Sequence, residues 1–109
     1  MRKLFDDPLD DFGRFVEPAL LILISLADGA KHGYAMTEDI ARIADVRLGP
    51  GTLYGAITRL ESRGLIKRLE ADDRRNPYEL TALGARALRA RLTSIQAIAK
   101  IGQRRLASA

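Results

Sequence analysis

Residues 49–68 read GPGTLYGAITRLESRGLIKR and predict a helix between two breaks in the chain. Gly49-Pro50-Gly51 interrupts what precedes it, and Gly64 followed by two large aliphatic residues is typical of the passage from a helix to a strand. We expect the helix to run from about Thr52 to Arg63. At about 100° per residue, one side of it is largely apolar and is predicted to face the core. That side consists of Leu53, Ile57, Leu60 and Gly64.

The opposite side of this helix carries small or hydrogen-bonding residues. It consists of Gly55, Thr58, Arg59 and Ser62, with Thr52 and Arg63 at one border and Tyr54 and Glu61 at the other. A glycine inside a helix costs about 1 kcal/mol relative to alanine, so it usually has a reason. Small residues let a helix backbone enter the DNA major groove, where Arg and Thr can hydrogen-bond to bases. Taken alone, the pattern is equally consistent with an ordinary solvent-exposed helix whose residues have low helix propensity.

The elements around this helix complete a recognisable order. An apolar helix starts at Pro18 and ends near Ala27, and a second helix follows His32-Gly33. The apolar positions of that second helix are Tyr34, Met36, Ile40 and Ile43. Two short strands, within residues 65–70 and 77–80, flank a polar loop, and Thr81 caps a long last helix. The predicted fold is mainly α with a small β-hairpin.

The positive charge of the chain lies in its second half. The formal net charge is +4, yet residues 59–109 carry twelve cations and five anions, whereas residues 1–30 carry three cations and six anions. Such an asymmetry indicates a polyanionic partner, although an ordinary solvated surface would also account for it.

Four of these cations lie on the predicted hairpin, namely Lys67, Arg68, Arg74 and Arg75. A helix-turn-helix followed by a basic ribbon is a winged helix, in which the ribbon reaches phosphates or a neighbouring minor groove. In the alternative, Asp72 and Asp73 pair with Arg74 and Arg75 and leave a neutral tip. Exposed ion pairs of this kind are weak and easily exchanged for phosphate contacts.

The last helix carries an apolar seam with a period of about 3.5 residues, as in a coiled coil. We expect this seam to pair with a second copy of the chain. Its predicted dimerisation residues are Leu88, Leu92, Ile95, Ala99 and Leu106. The predicted organisation is therefore an N-terminal arm at 1–17, a winged helix-turn-helix at 18–81 and a dimerisation helix at 82–109. The arm holds all three phenylalanines and is expected to pack on its own domain or on a second subunit.

The composition argues against catalysis. There is no cysteine, which excludes disulfides, thiolate metal sites and a cysteine nucleophile, and a single histidine argues against a metal centre. His32 lies at a helix start, where capping or packing is favoured over a general-base role. The glycines before Thr52 lack the Lys-Ser/Thr of a phosphate-binding loop. We expect no enzyme activity, no metal and no cofactor.

The chain also gives no sign of a membrane segment. Its longest apolar run, residues 19–27, is too short to span a bilayer, and its start is too acidic for a signal peptide. We expect a cytoplasmic protein with no membrane partner.

Three motifs in combination resemble the PadR family of transcriptional regulators. They are His32-Gly33-Tyr34, Gly51-Thr52-Leu53-Tyr54, and residues 59–66, RLESRGLI, followed by residues 75–84, RNPYELTALG. The resemblance covers roughly residues 18–90. It departs from the family at Gly55, where a proline often follows the Leu-Tyr pair. The chain also carries one C-terminal helix, as in the family's short subgroup.

The resemblance implies a dimeric winged-helix repressor whose last helix builds the dimer, with a small-molecule inducer at the dimer interface as a further option. We therefore expect binding to palindromic double-stranded DNA. Base or nearby phosphate contacts are assigned to Thr52, Tyr54, Thr58 and Arg59, and wing contacts to Lys67, Arg68, Arg74 and Arg75. The alternative is a winged-helix module that binds another protein without specific DNA binding.

Overall fold

The computed structural model describes residue 9 and residues 17–71 and 75–109. Its elements follow the order α1 (Pro18–Leu26), α2 (Gly33–Ala44), α3 (Pro50–Ser62), β1 (Ile66–Arg68), β2 (Tyr78–Leu80) and α4 (Ala82–Ser108). The predicted winged helix-turn-helix with a long C-terminal helix is confirmed. The remainder of the first 16 residues and the hairpin tip, with Asp72, Asp73 and Arg74, lie outside the described residues.

The core lies where α1 is packed between the other helices and the hairpin. Almost the whole of α1 is buried, which agrees with its apolar run. From α2 it receives Met36 and Ile40, both fully buried. From α3 it receives Leu53, Ile57 and Leu60, as predicted, together with Ala56. Gly64, predicted on this side, instead follows the end of α3 and is exposed, with a φ of +74° that favours glycine.

The helix starts follow the predicted signals. Pro18 is the first residue of α1, and Pro50 begins α3 two residues earlier than expected. His32 precedes α2, and its Nδ1 accepts a hydrogen bond from the Ala35 backbone N–H at 3.4 Å, which confirms a capping role. Thr81 precedes α4, and its Oγ1 accepts from the Gly84 N–H at 3.0 Å.

The hairpin is a short antiparallel ribbon attached to the helical core. Its register pairs Ile66 with Leu80, Lys67 with Glu79 and Arg68 with Tyr78. Lys31, in the segment before α2, exchanges two backbone hydrogen bonds with Tyr78 on the other edge of β2. The strands are shorter than the predicted 65–70 and 77–80.

Two of the four predicted apolar positions of α2 lie outside the core. Tyr34 is 65% exposed, because it lies about 160° around the helix from Met36. Ile43 lies on the same side as Met36 but in the last turn of α2, and it is 51% exposed. Gly33 occupies the buried position one turn before Met36 instead.

Candidate nucleic-acid interface

The outer side of α3 is open to solvent along its length. Thr52, Tyr54, Thr58 and Arg59 are all exposed, so the four predicted contact residues of α3 lie on one accessible surface. We call this surface, together with Gly55, Ser62 and Arg63, the outer face of α3. Two of its hydroxyl groups bond to the helix itself: Thr58 Oγ1 donates to the Tyr54 carbonyl at 2.9 Å and Ser62 Oγ to the Arg59 carbonyl at 3.0 Å. Each retains acceptor capacity toward a partner.

The Arg59 side chain lies back along the helix over Gly55. A methyl group added at Gly55 would lie 3.6 Å from Arg59 Nη1, an ordinary van der Waals distance. Gly55 therefore leaves a gap between the side chains in the middle of the outer face, and no other neighbouring group fills this gap. A glycine in a regular element often marks a place where another molecule approaches the backbone closely.

The two cations of β1 project to opposite sides of the ribbon, because successive residues of a strand alternate. Lys67 Nζ lies 3.5 Å from the Glu79 carboxylate across the ribbon. Arg68 turns toward the body of the domain, where its guanidinium lies 5.7 Å from the centre of the Tyr78 ring and 3.8 Å from the Glu61 carboxylate of α3. Of this pair, Arg68 links the hairpin to α3 and Lys67 faces away from it.

The other wing cations are placed unequally. Arg75 is exposed at the start of the returning segment and takes part in an interaction of its own. Arg74, like the suggested pairing of the tip cations with Asp72 and Asp73, falls outside the described residues. The wing contacts predicted from the sequence are thus distributed over both sides of the ribbon and its tip.

A buried polar contact joins α1 to α2 behind the interface. The Asp39 carboxylate is 8% exposed and accepts a hydrogen bond from Ser25 Oγ at 2.7 Å. Its other oxygen accepts from Arg42 Nη2 at 2.5 Å. The Lys31 ammonium bonds to the Ser25 carbonyl on the same side. The bonds from Ser25 and Arg42 satisfy a carboxylate that would otherwise be costly to bury.

An exposed ion pair joins α2 to the loop before α3. Arg47 Nη1 donates to Glu38 Oε2 at 2.9 Å. The hydrogen bond and the charge of Arg47 lower the pKa of Glu38 below its ordinary value. Near the end of α1, the hydrogen bond and charge of Lys31 likewise lower the pKa of Asp28.

The start of α4 is tied directly to the end of α3. Thr81 Oγ1 donates to the Gly64 carbonyl at 2.6 Å while capping α4, and the Thr81 N–H donates to the Leu65 carbonyl at 3.2 Å. A methyl group at Gly84 would lie 2.0 Å from that same Leu65 carbonyl oxygen, so only glycine fits this approach.

Beyond Leu88, α4 leaves the domain. Leu88 is 6% exposed and packs in the core of its own chain, whereas every residue from 89 to 109 is exposed. Three of the predicted dimerisation residues, Leu92, Ile95 and Leu106, are exposed large apolar side chains, and Ile98 and Ile101 add to them. Leu88 therefore belongs to the core of its own chain, and the exposed large apolar side chains beyond it lie between Leu92 and Leu106.

The model of the transcriptional regulator PadR-like family matches residues 22–90. The chain belongs to this family. The PadR-like match runs from the middle of α1 to the first turns of α4, which includes the whole outer face of α3 and the hairpin. Among the described residues, no helix combines the length and apolar character that crossing a membrane requires.

Two curated relatives share this PadR-like region. The transcriptional regulator Rv3488 of Mycobacterium tuberculosis is 38% identical over 72 residues, which are 63% of this chain and 66% of that protein. An uncharacterized 37.1 kDa protein in transposon TN4556 of Streptomyces fradiae is 46% identical over 69 residues. That match covers 63% of this chain and 20% of the relative, so the chain spans a small part of it.

Solved structures of the family are similar over most of the chain. A PadR family transcription regulator from hypervirulent Clostridium difficile R20291 superposes with a TM-score of 0.76 at 26% identity, over 84% of this chain and 99% of that one. A transcriptional regulator from Clostridium thermocellum gives 0.71 at 27% identity, over 79% and 89%.

Proposed function

We propose that this PadR-like chain binds double-stranded DNA in a sequence-specific way and regulates transcription as a homodimeric repressor. The observation that carries the proposal is the outer face of α3. It is a largely exposed helix surface with a glycine at its centre, hydroxyl residues around it and two arginines, of which Arg59 lies beside the glycine. A major groove admits such a surface, and a bulkier one would hold the backbone away from the bases.

The roles of the predicted residues follow from their positions. Arg59 is the candidate for bidentate recognition of guanine, and Thr52, Tyr54 and Thr58 are candidates for bases or nearby phosphates. Lys67, Arg74 and Arg75 are assigned to phosphates beside the groove. Arg68 is assigned to the same backbone, which it would reach only by leaving Glu61 and Tyr78.

The proposed dimer uses the exposed part of α4. A single α4 leaves apolar side chains in water over most of its length, and pairing two copies would remove them from it. Two recognition helices related by a twofold axis would then lie about one DNA turn apart, roughly 34 Å, and read a palindrome. An inducer that acts at this α4 interface would change the spacing of the two α3 helices.

The test begins with duplexes selected from a random pool by the intact protein. Binding of the selected duplex is then measured at several salt concentrations, because neutralising phosphates must release counterions. Affinity that is indifferent to salt, or absent at about 50 mM salt, would refute the proposal and favour a protein-binding module.

Two single substitutions separate base contacts from backbone contacts. Arg59→Ala should cost about 1–3 kcal/mol on the selected duplex and relax sequence preference. Lys67→Ala should weaken binding to selected and random duplexes alike and lower the salt slope by about 1. Equal behaviour of the two variants would contradict the assigned roles.

The dimer has its own paired test. Leu92→Glu places a charge on the proposed seam and should give monomers in sedimentation equilibrium. Ala90→Glu adds the same charge about 160° around the same helix and should leave the dimer intact. If both variants stay dimeric, α4 does not build the interface.

A further inference from the structure

Within the helix-turn-helix, Tyr54 of α3 lies directly against Gly33 of α2. Gly33 is the first residue of α2 and is buried, and Tyr54 lies in the second turn of α3. A methyl group at residue 33 would lie 2.2 Å from the Tyr54 hydroxyl oxygen, 2.8 Å from Cζ and 3.2 Å from Cε1. The phenol ring therefore rests on the uncovered Cα of Gly33, in space that any other residue would occupy.

Glycine is required at residue 33 because there is no room for a side chain, and not because of the backbone conformation. Among the described glycines, positive φ values occur at Gly29 and Gly64 only, so the backbone of Gly33 is open to any residue. Gly33 also lies on the same side of α2 as the buried Met36 and Ile40. The Gly33–Tyr54 contact thus continues the packed side of α2 out to the start of the helix, at the edge of the outer face of α3.

The ring of Tyr54 is only half covered by this contact, since the residue is 48% exposed. Tyr54 is exposed on the proposed DNA side, which suggests a direct contact between its phenol and DNA, and its position in the sequence suggests the same. Its contact with Gly33 suggests a different role, because the hydroxyl end of the ring occupies space between α3 and the start of α2 that a side chain at residue 33 would need. The two roles lead to opposite expectations for removal of the hydroxyl group.

We propose that Tyr54 is a positioning residue. Its ring, in contact with Gly33, sets the distance between α3 and α2 and therefore how far the Arg59 side chain extends toward the DNA. This inference rests on the proposed DNA-binding function and names how one residue serves it. A methyl group at Gly33 must move the ring by about 1 Å to reach normal contact distance. A shift of that size separates a hydrogen bond of about 2.9 Å from none.

Four variants test the proposal on the intact dimer: Gly33→Ala, Tyr54→Phe, Tyr54→Ala and the double variant Gly33→Ala with Tyr54→Ala. Each is titrated against the selected duplex and against a random duplex of the same length. The ratio of the two affinities is the decisive readout, because phosphate contacts contribute to both and base contacts to the first alone.

Gly33→Ala should lower the affinity ratio by about tenfold, as expected for the loss of one good base contact, and change random-duplex binding less than about twofold. In the Tyr54→Ala background, the same glycine substitution should change the ratio less than about twofold, because nothing remains for the methyl group to displace. Tyr54→Phe keeps the ring and should retain more of the affinity ratio than Tyr54→Ala does.

Three outcomes would overturn the proposal. One is a loss of specific affinity in Tyr54→Phe as large as that in Tyr54→Ala, which would assign the phenol to a direct DNA contact. The others are an equal effect of Gly33→Ala in both backgrounds and no effect of it in either. Should Gly33→Ala fail to fold by circular dichroism, the comparison of Tyr54→Phe with Tyr54→Ala still decides. A wild type that binds both duplexes equally refutes the proposed function itself and is recognised before any variant is made.

Discussion

Gly55→Ala should make this protein more stable and a poorer DNA binder. Gly55 lies in the middle of α3, and a methyl group there meets only Arg59 Nη1, at 3.6 Å. The folded chain can therefore accept alanine without strain. Replacing a mid-helix glycine by alanine contributes about 1 kcal/mol of stability, which for a chain of this size raises Tm by about 4 °C.

The same methyl group stands at the centre of the outer face of α3. If that face enters the major groove, the added group must be accommodated against the bases, which costs about 1 kcal/mol or more, as overpacking does elsewhere. Affinity for the selected duplex should then fall at least about fivefold. The two effects have opposite signs, so they cannot arise from a single change in folding.

The assay pairs thermal unfolding by circular dichroism with fluorescence anisotropy of a labelled duplex. Gly102→Ala serves as the matched control, because Gly102 is also a mid-helix glycine with open space around it, but it lies far along α4. This control should gain similar stability and keep full DNA affinity at concentrations where the protein is dimeric. Unchanged DNA affinity of Gly55→Ala would refute the groove-facing placement, and reduced stability would refute the propensity argument.

Three further predictions concern the scaffold behind the interface. Ser25→Ala removes one partner of the buried Asp39 carboxylate and should lower the free energy of unfolding by about 1–3 kcal/mol in urea titrations; a neutral result would mean that the remaining bond suffices. Thr81→Val removes the cap of α4 together with its bond to the end of α3, and should cost about 1–2 kcal/mol by the same measurement. Thr93→Val, which loses only a bond within the exposed part of α4, should cost less. Because the pKa of Glu38 is lowered in the folded protein, its ion pair stabilises the fold at pH values above 4.5, and this contribution is lost as the pH falls through the lowered pKa. Glu38→Gln should therefore make the free energy of unfolding depend less on pH in the acid range. An unchanged pH dependence would contradict the pairing.

Much of the fold could be predicted because its signals are local. A proline at the start of α1, a histidine before α2 and a threonine before α4 each act within one turn of their own helix, so their roles were readable from spacing. The stripe of Leu53, Ile57 and Leu60 was readable for a similar reason, since burial repeats with the helix period. The motifs that resemble the PadR family could be recognised for the same reason, because each is a short run of consecutive residues.

What the sequence left open concerns contacts between elements. Tyr34 and Ile43 are apolar residues of α2, yet both are exposed. Tyr34 lies on the opposite side of the helix from Met36, whereas Ile43 has the right spacing but lies in the last turn, and periodicity does not report how far the neighbouring helices extend. Adjacent cations in β1 looked equivalent until the ribbon placed Lys67 and Arg68 on opposite sides. Leu88 belongs to the apolar seam by spacing, whereas the packing of α4 on α1 buries it within its own chain.

The sequence by itself determined the order of the elements, the starts of α1, α2 and α4, and the composition of the outer face of α3. Only the tertiary structure decided that the uncovered Cα of Gly33 receives the ring of Tyr54, 21 positions further along the chain. The physical reason is that a glycine has no side chain whose pattern could reveal a partner. Gly33 contributes free space beside its Cα, and another residue can fill that space only when two helices pack together.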